Sequence, residues 1–276
     1  MAARGAALTT TELSPRLLVM TLGGDDPLTS YGANCVALLG SAGTLVVDPL
    51  IAPAHARLVA AELERRGARP VTDVVATHHH TDHALGAGWF GARGAVVAVQ
   101  ARCAERMRAE HPALVRARRA DPRLAALFAD AEAHEPAVAF ASGWRVDLGD
   151  VAAEARHLGP GHTPGDCVVL FPSEDAVACG DLVVAGWHHN YEDADLQALP
   201  AALERLRACG ARRLVPGHGA PGGPELVDEQ ARYHAEVERL VRAATSDEGA
   251  RAALRERFPG RPLENAIESA VARLRR

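Results

Sequence analysis

The feature that most constrains this chain is a set of short apolar runs, each stopping at histidine or aspartate beside a glycine, threonine or proline. Val71–Ala76 leads directly into Thr77-His78-His79-His80-Thr81-Asp82-His83. His162 stands in Gly-His-Thr-Pro-Gly-Asp, Asp181 in Cys-Gly-Asp-Leu and His218 in Pro-Gly-His-Gly. Short apolar runs bounded by turn formers read as buried strands. The fold must therefore carry polar groups at several strand ends, with rigid elements between them.

The rest of the chain supplies those elements. Leu17–Thr21, Asn34–Leu39 and Gly43–Val47 read as strands, the third ending at Asp48-Pro49. His55–Arg66 has apolar residues at Leu58, Val59 and Leu63 with charges opposite, and closes at Gly67, which predicts an amphipathic helix. Ala95–Val99 is a further buried strand. Arg102–Glu110, Ala113–Arg119 and Arg123–Ala133 read as three short helices broken at Pro112 and Pro122. Strands follow at Arg145–Leu148, Val151–Leu158, Cys167–Phe171, Ala176–Cys179 and Arg213–Val215. Helices are expected at Asp195–Ala208, Pro224–Arg242, Arg251–Arg257 and Asn265–Arg275. Two groups of strands alternating with helices predict a layered α/β fold.

Imidazole and carboxylate are ligands for a borderline cation such as Zn²⁺, and the same N/O donors accept iron or manganese. His78 and His80 are two apart, so in an extended loop they point the same way. Asp82 and His83 lie beyond the turn and can face a second ion, while the alternation turns His79 aside as a packing or supporting residue. Two ions about 3.5–4 Å apart can hold a hydroxide between them and polarise the bond it attacks.

The motif set resembles the metallo-β-lactamase superfamily over about Asn34 to Gly219, with all the motifs in order. The resemblance implies one domain over 1–276, a four-layer αββα sandwich of two mixed β-sheets, with a helical insertion at about 100–139 and C-terminal helices at about 224–276. Carried over by motif, His78, His80 and His162 would bind a first zinc ion. Asp82, His83 and His218 would bind a second, and Asp181 would bridge both. Asp48 matches an aspartate that steadies the ligand loop. The implied reaction is hydrolysis of an ester, thioester, lactone or amide carbonyl by a metal-bridging hydroxide, with Asp82 positioning or accepting a proton. His188, His189 and Asn190 follow Asp181 on a loop that can overhang the pocket, with His188 and Asn190 the favoured oxyanion donors.

Composition bounds what else is possible. A net charge of −5 gives no electrostatic reason to expect nucleic acid, and a small-molecule substrate is expected instead. No stretch is apolar and long enough to span a bilayer, and Met1–Met20 lacks the apolar core of an export signal. Five scattered cysteines, without a CxxC pair, suggest no disulfide framework, so a cytoplasmic protein is expected. Oligomeric state is not legible. Within the resemblance, an Asp at 181 and the missing export signal argue against a secreted β-lactamase. The tail is shorter than the helical domain of glyoxalase II-type thioesterases, and Tyr191 lies beyond the spacing of the lactonase tyrosine. The alternatives are a mononuclear iron persulfide-type dioxygenase, using counterparts of His78, His162 and Asp181, and a biosynthetic or non-catalytic relative. His55, His111, His134 and His157 read as packing or surface residues. Met107, Leu114, Leu124, Leu127 and Phe128 mostly seat the predicted helices on the sheet.

Overall fold

The computed structural model describes residues 7–275; the ends of the expected 1–276 domain and the first residues of the Met1–Met20 segment lie outside the described residues. Twelve strands are described: β1 (Thr9–Glu12), β2 (Leu17–Thr21), β3 (Cys35–Leu39), β4 (Thr44–Val47), β5 (Val71–Val75), β6 (Val96–Gln100), β7 (Val138–Phe140), β8 (Gly143–Asp147), β9 (Ala152–Arg156), β10 (Val168–Phe171), β11 (Ala176–Ala178) and β12 (Arg213–Val215). The α-helices are α1 (Pro53–Arg65), α2 (Thr81–Ala84), α3 (Ala87–Gly91), α4 (Ala101–Ala120), α5 (Leu199–Ala208), α6 (Glu225–Ala243), α7 (Asp247–Arg257) and α8 (Ala266–Leu274).

The strands form two mixed sheets. Sheet one runs β1-β2-β3-β4-β5-β6-β7 and sheet two β12-β11-β10-β9-β8. The first is antiparallel from β1 to β4 and parallel from β4 to β7; in the second only β11 and β12 are parallel. With helices on one face and the other sheet on the opposite face, β3, β10 and β11 are apolar throughout rather than at every second residue. Leu17 and Val19 face Val169 and Ala178 of the opposite sheet, whereas Leu18 and Met20 face outward onto Val59 and Leu63 of α1. On the far side, Val168, Leu170 and Val177 are covered by Leu203 and Leu206 of α5 and Val227 of α6. Helices outside, two sheets inside: the architecture is the αββα sandwich expected from the sequence.

Most element boundaries agree with the expected ones to within a few residues; the segment after β6 does not. Two helices were expected on either side of Pro112, but α4 continues through it from Ala101 to Ala120. Pro112 removes one N–H from the helix, yet buried Cys103, Ala104, Met107, His111 and Val115 on one face hold the helix together. Residues 123–133, read as a third helix, form turns as far as residue 130 and then run on without regular structure. There Leu124 and Phe128 pack onto Ile51, Leu85 and Val115, so burial is achieved without helical geometry. Strands β1 and β7, at the two edges of sheet one, had no clear signal in the sequence. No helix among the described residues is long and apolar enough to cross a membrane.

Candidate metal centre

All the expected ligands emerge from one edge of the sandwich. Asp48 follows β4, His78 to His83 follow β5, His162 follows β9, Asp181 follows β11 and His218 follows β12. The parallel pairs β4·β5 and β11·β12 therefore deliver their C-terminal ends together. The edge is also stitched across the sheets: Asn34 N–H donates to Gly217 O at 2.8 Å, and its amide donates to Pro216 O and Gly219 O. Gly217 is needed for this approach, because a Cβ there would overlap Asp181 Oδ1.

Five histidines each have one nitrogen engaged outside the cluster. His83 Nδ1 lies 2.9 Å from Asp48 Oδ2, and His78 Nδ1 lies 3.0 Å from Thr77 Oγ1, which donates to the same carboxylate at 2.8 Å. Asp48 Oδ1 takes Thr77 N–H at 2.7 Å, so one aspartate, held at φ 55°, orients the whole loop. His80 Nε2 meets Asp193 Oδ2 at 3.1 Å, and His218 Nδ1 meets the Tyr31 carbonyl at 2.9 Å. His162 Nδ1 lies 3.2 Å from His189 Nε2. With its outer nitrogen donating, a neutral ring of this set turns a lone pair inward, an arrangement set by the network.

Those inner atoms converge. His162 Nε2 and His80 Nδ1 are 2.9 Å apart, and His83 Nε2 and His218 Nε2 are 3.2 Å apart. Asp181 lies between the two groups: Oδ1 is 3.3 Å from His83 Nε2, while Oδ2 is 3.6 Å from His162 Nε2 and 3.5 Å from His218 Nε2. His78 Nε2 and Asp181 Oδ1 are buried without any hydrogen-bond partner. Orphaned buried polar atoms are costly, and lone pairs facing one another repel. One group that can hold an ion is His78, His80, His162 and Asp181; another is Asp82, His83 and His218; in each the donor atoms lie within 4.8 Å of one another. A bound cation would relieve both costs at once.

The electrostatics agree. Burial pushes His162 down to about 3 and His78 well below its ordinary range. Burial also opposes charge on His218, but the Asp181 and Asp82 carboxylates outweigh it and raise this imidazole to about 9. His83 is raised well above its ordinary range against the same burial, by Asp181, Asp82 and Asp48. Two enclosed carboxylates thus demand positive charge from whatever sits beside them.

The flanking residues divide sharply. Asp82 and Asn190 line the cavity of about 470 Å³ that opens over the cluster. His188 is not brought there: its Nδ1 bonds Tyr233 Oη at 2.9 Å, and its ring packs near Phe258. The neighbouring His189 touches the cluster instead. It belongs to a second network in which Gln230 donates to His234 Nε2 at 2.9 Å and His234 Nδ1 lies 2.6 Å from Tyr191 Oη. The sequence does not single out His189 from its neighbours or point to His234, since nothing local ties α6 to the loop after β11. His79 is buried, as its alternation implied, with Nε2 3.3 Å from Asp193. Asp193 also pairs with Arg106 of α4. His79, His80 and Asp193 could form a third ligand group, but this guanidinium already supplies the positive charge. Of the apolar residues expected mostly to seat the helices, Met107 packs against Ala76 and Ala84, whereas Leu114 lines the cavity.

Comparison with known proteins gives a consistent picture. The model of the Metallo-beta-lactamase superfamily matches residues 28–218. A metallo-beta-lactamase type 2 from Bacteroides fragilis is 34% identical over 98 residues, covering 34% of this chain and 39% of that protein. Hydroxyacylglutathione hydrolase from Acidiphilium cryptum is 36% identical over 168 residues, 57% of each. The chain thus spans less than two thirds of the length of these curated relatives. Among solved structures, a metallo-beta-lactamase from Pontibacter korlensis superposes with a TM-score of 0.70 at 22% identity, over 83% of this chain and 99% of that one. VMB-1 superposes with a TM-score of 0.68 at 16% identity, over 83% of this chain and 97% of its own. At such identities the structural likeness concerns the fold.

Proposed function

The chain belongs to the metallo-beta-lactamase superfamily, and from that premise we propose that it is a dizinc hydrolase of small carbonyl compounds: esters, thioesters, lactones or amides. The observation that carries the reading is the set of histidine nitrogens converging around Asp181, with His78 Nε2 and Asp181 Oδ1 buried and without a hydrogen-bond partner. Relatives named metallo-beta-lactamase and hydroxyacylglutathione hydrolase favour hydrolysis over oxygenation. His78, His80 and His162 would hold one ion, Asp82, His83 and His218 the other, and Asp181 both. Bound there, the ions supply an activated water and polarise the substrate carbonyl.

The protein's own part is orientation and proton handling. Asp48 fixes His83 directly and His78 through Thr77, so both rings keep one tautomer through turnover. Asp193, itself clamped by Arg106, does the same for His80. Burial opposes ionisation of Asp82, but His83 and His218 hold its carboxyl below the usual range, so at neutral pH it is an anion that can orient a proton of the attacking water. Asn190 Oδ1 accepts the Glu192 N–H at 3.0 Å, leaving its NH₂ to donate toward an oxyanion in the cavity.

The test is metal content by mass spectrometry on protein purified without added metal, with a panel of lactone, thioester and β-lactam substrates. Close to two zinc ions per chain with turnover of any member is the expected result. One iron per chain with oxygen consumption would replace the hydrolase with the dioxygenase reading. Metal-free, inactive protein would leave a non-catalytic relative.

A further inference from the structure

Helix α4 presents one ridge to the metal cavity: Arg106, Glu110, Leu114 and Arg118, spaced by four. The two arginines on it differ in what they have left to give. Arg106 is consumed by Asp193 and by Glu110, whose Oε1 lies 2.7 Å from its Nε. Arg118 donates to Tyr31 Oη at 3.1 Å and, among the described residues, has no carboxylate within 4.0 Å. A half-buried guanidinium with most of its donors unspent can pair with an anion entering the cavity. Tyr31 also fixes its position relative to the cluster, since the same residue's carbonyl holds His218.

We propose that Arg118 is the carboxylate subsite of this cavity, and that the substrate is a carbonyl compound carrying one carboxylate beyond a short aliphatic spacer. The proposal rests on the hydrolase reading above and narrows its substrate class. Leu114 and Leu263 supply apolar wall in the same cavity, against which methylene groups can lie. The planar fork of one guanidinium matches one carboxylate in two parallel hydrogen bonds. Glu110 and Glu192 line the cavity too, and Glu192 has no basic partner among the described residues, so a multiply charged anion would be repelled.

The experiment compares the S-phenyl thioester of glutaric acid with its methyl ester, following thiophenol release by wild-type protein, Arg118→Gln and Arg118→Lys. The expected result is a wild-type preference for the free acid in kcat/KM that falls about tenfold or more in Arg118→Gln, mainly through KM, and is partly kept in Arg118→Lys. Arg116→Gln, exposed and outside the cavity, should leave the preference in place. A ratio unchanged in Arg118→Gln, or no wild-type preference, overturns the subsite. In parallel, calorimetric titration of the metal-loaded proteins with glutarate and with butyrate isolates the second carboxylate from the first. If neither thioester is turned over, the hydrolase reading is what has failed. A glutarate preference abolished by Arg118→Gln would then still support the subsite, and one unaffected by the substitution would overturn it.

Discussion

Two groups of enclosed histidines lie side by side in this molecule, and they differ in what their nitrogens face. In the metal cluster the outer nitrogens of His78, His80, His83 and His218 meet protein oxygens, while the inner ones meet each other. In the neighbouring group, His188 is closed by the Tyr233 hydroxyl, and His234 by Gln230 on one side and Tyr191 on the other. Burial and residue type are shared. What separates them is satisfaction: His234 in the second group has both ring nitrogens bonded to non-histidine partners, whereas the rings of the first have one. His189 joins the two, touching His162 from the satisfied side.

The comparison is most exposed at Asp181. Asp181→Ala should lower kcat/KM by well over about 100-fold and reduce bound metal with the circular-dichroism spectrum unchanged. Full activity would mean that no carboxylate bridge exists. Chelation comes next. Stripping metal from the wild-type protein should lower its thermal midpoint by several degrees, because ions that bind only the folded state stabilise it by mass action. An unmoved midpoint would put the first group in the same class as the second.

Asp193→Ala should weaken metal binding about 10–100-fold, the usual cost of freeing a histidine ligand from its orienting carboxylate. Competition with a chelating dye reads this directly, and an unchanged affinity would make Asp193 merely an ion-pair partner of Arg106. In the second group the effects should fall on stability. Enclosure pushes His234 down to about 3, far below its value near 6.5 in an unfolded chain. Between those values the unfolded state binds more protons. Its contribution is therefore complete above about pH 6.5 and is lost as pH falls toward 3, at up to about 1.4 kcal/mol per unit. His234→Gln should flatten the acid side of a denaturation series, and an identical slope would show that another group carries it. The smallest change belongs to His188→Phe, which should cost about 1 kcal/mol for the lost Tyr233 hydrogen bond, with turnover little altered. A large loss of turnover would return His188 to the cavity, where the sequence alone had placed it.

Legibility in the sequence followed the range of the interactions. The histidine loop after β5 could be read because its two-residue spacing is enforced by the chain itself. Asp48 could be read only through the family resemblance, because its strand ends far along the chain from the loop it orients. The paired helices expected around Pro112 were wrong because proline is a local penalty, whereas the five buried residues of α4 draw on contacts with other elements. Residues 123–133 misled for the opposite reason: their apolar spacing is helical, but Leu124 and Phe128 are buried by Ile51 and Val115 without needing a helix. Choosing between His188 and His189 required Tyr233 and Gln230, which lie more than forty residues further along the chain.

By itself, then, the sequence determined the alternating elements, the layered fold and the residue types offered at each strand end, since these follow from periodicity and turn chemistry within a few residues. Only the tertiary structure decided which nitrogen of each histidine faces inward, that Asp181 lies between both groups, and that Arg106 is spent while Arg118 is not. Each of these depends on partners brought from distant segments, and hydrogen bonds and ion pairs act over a few ångströms of space whatever the separation along the chain.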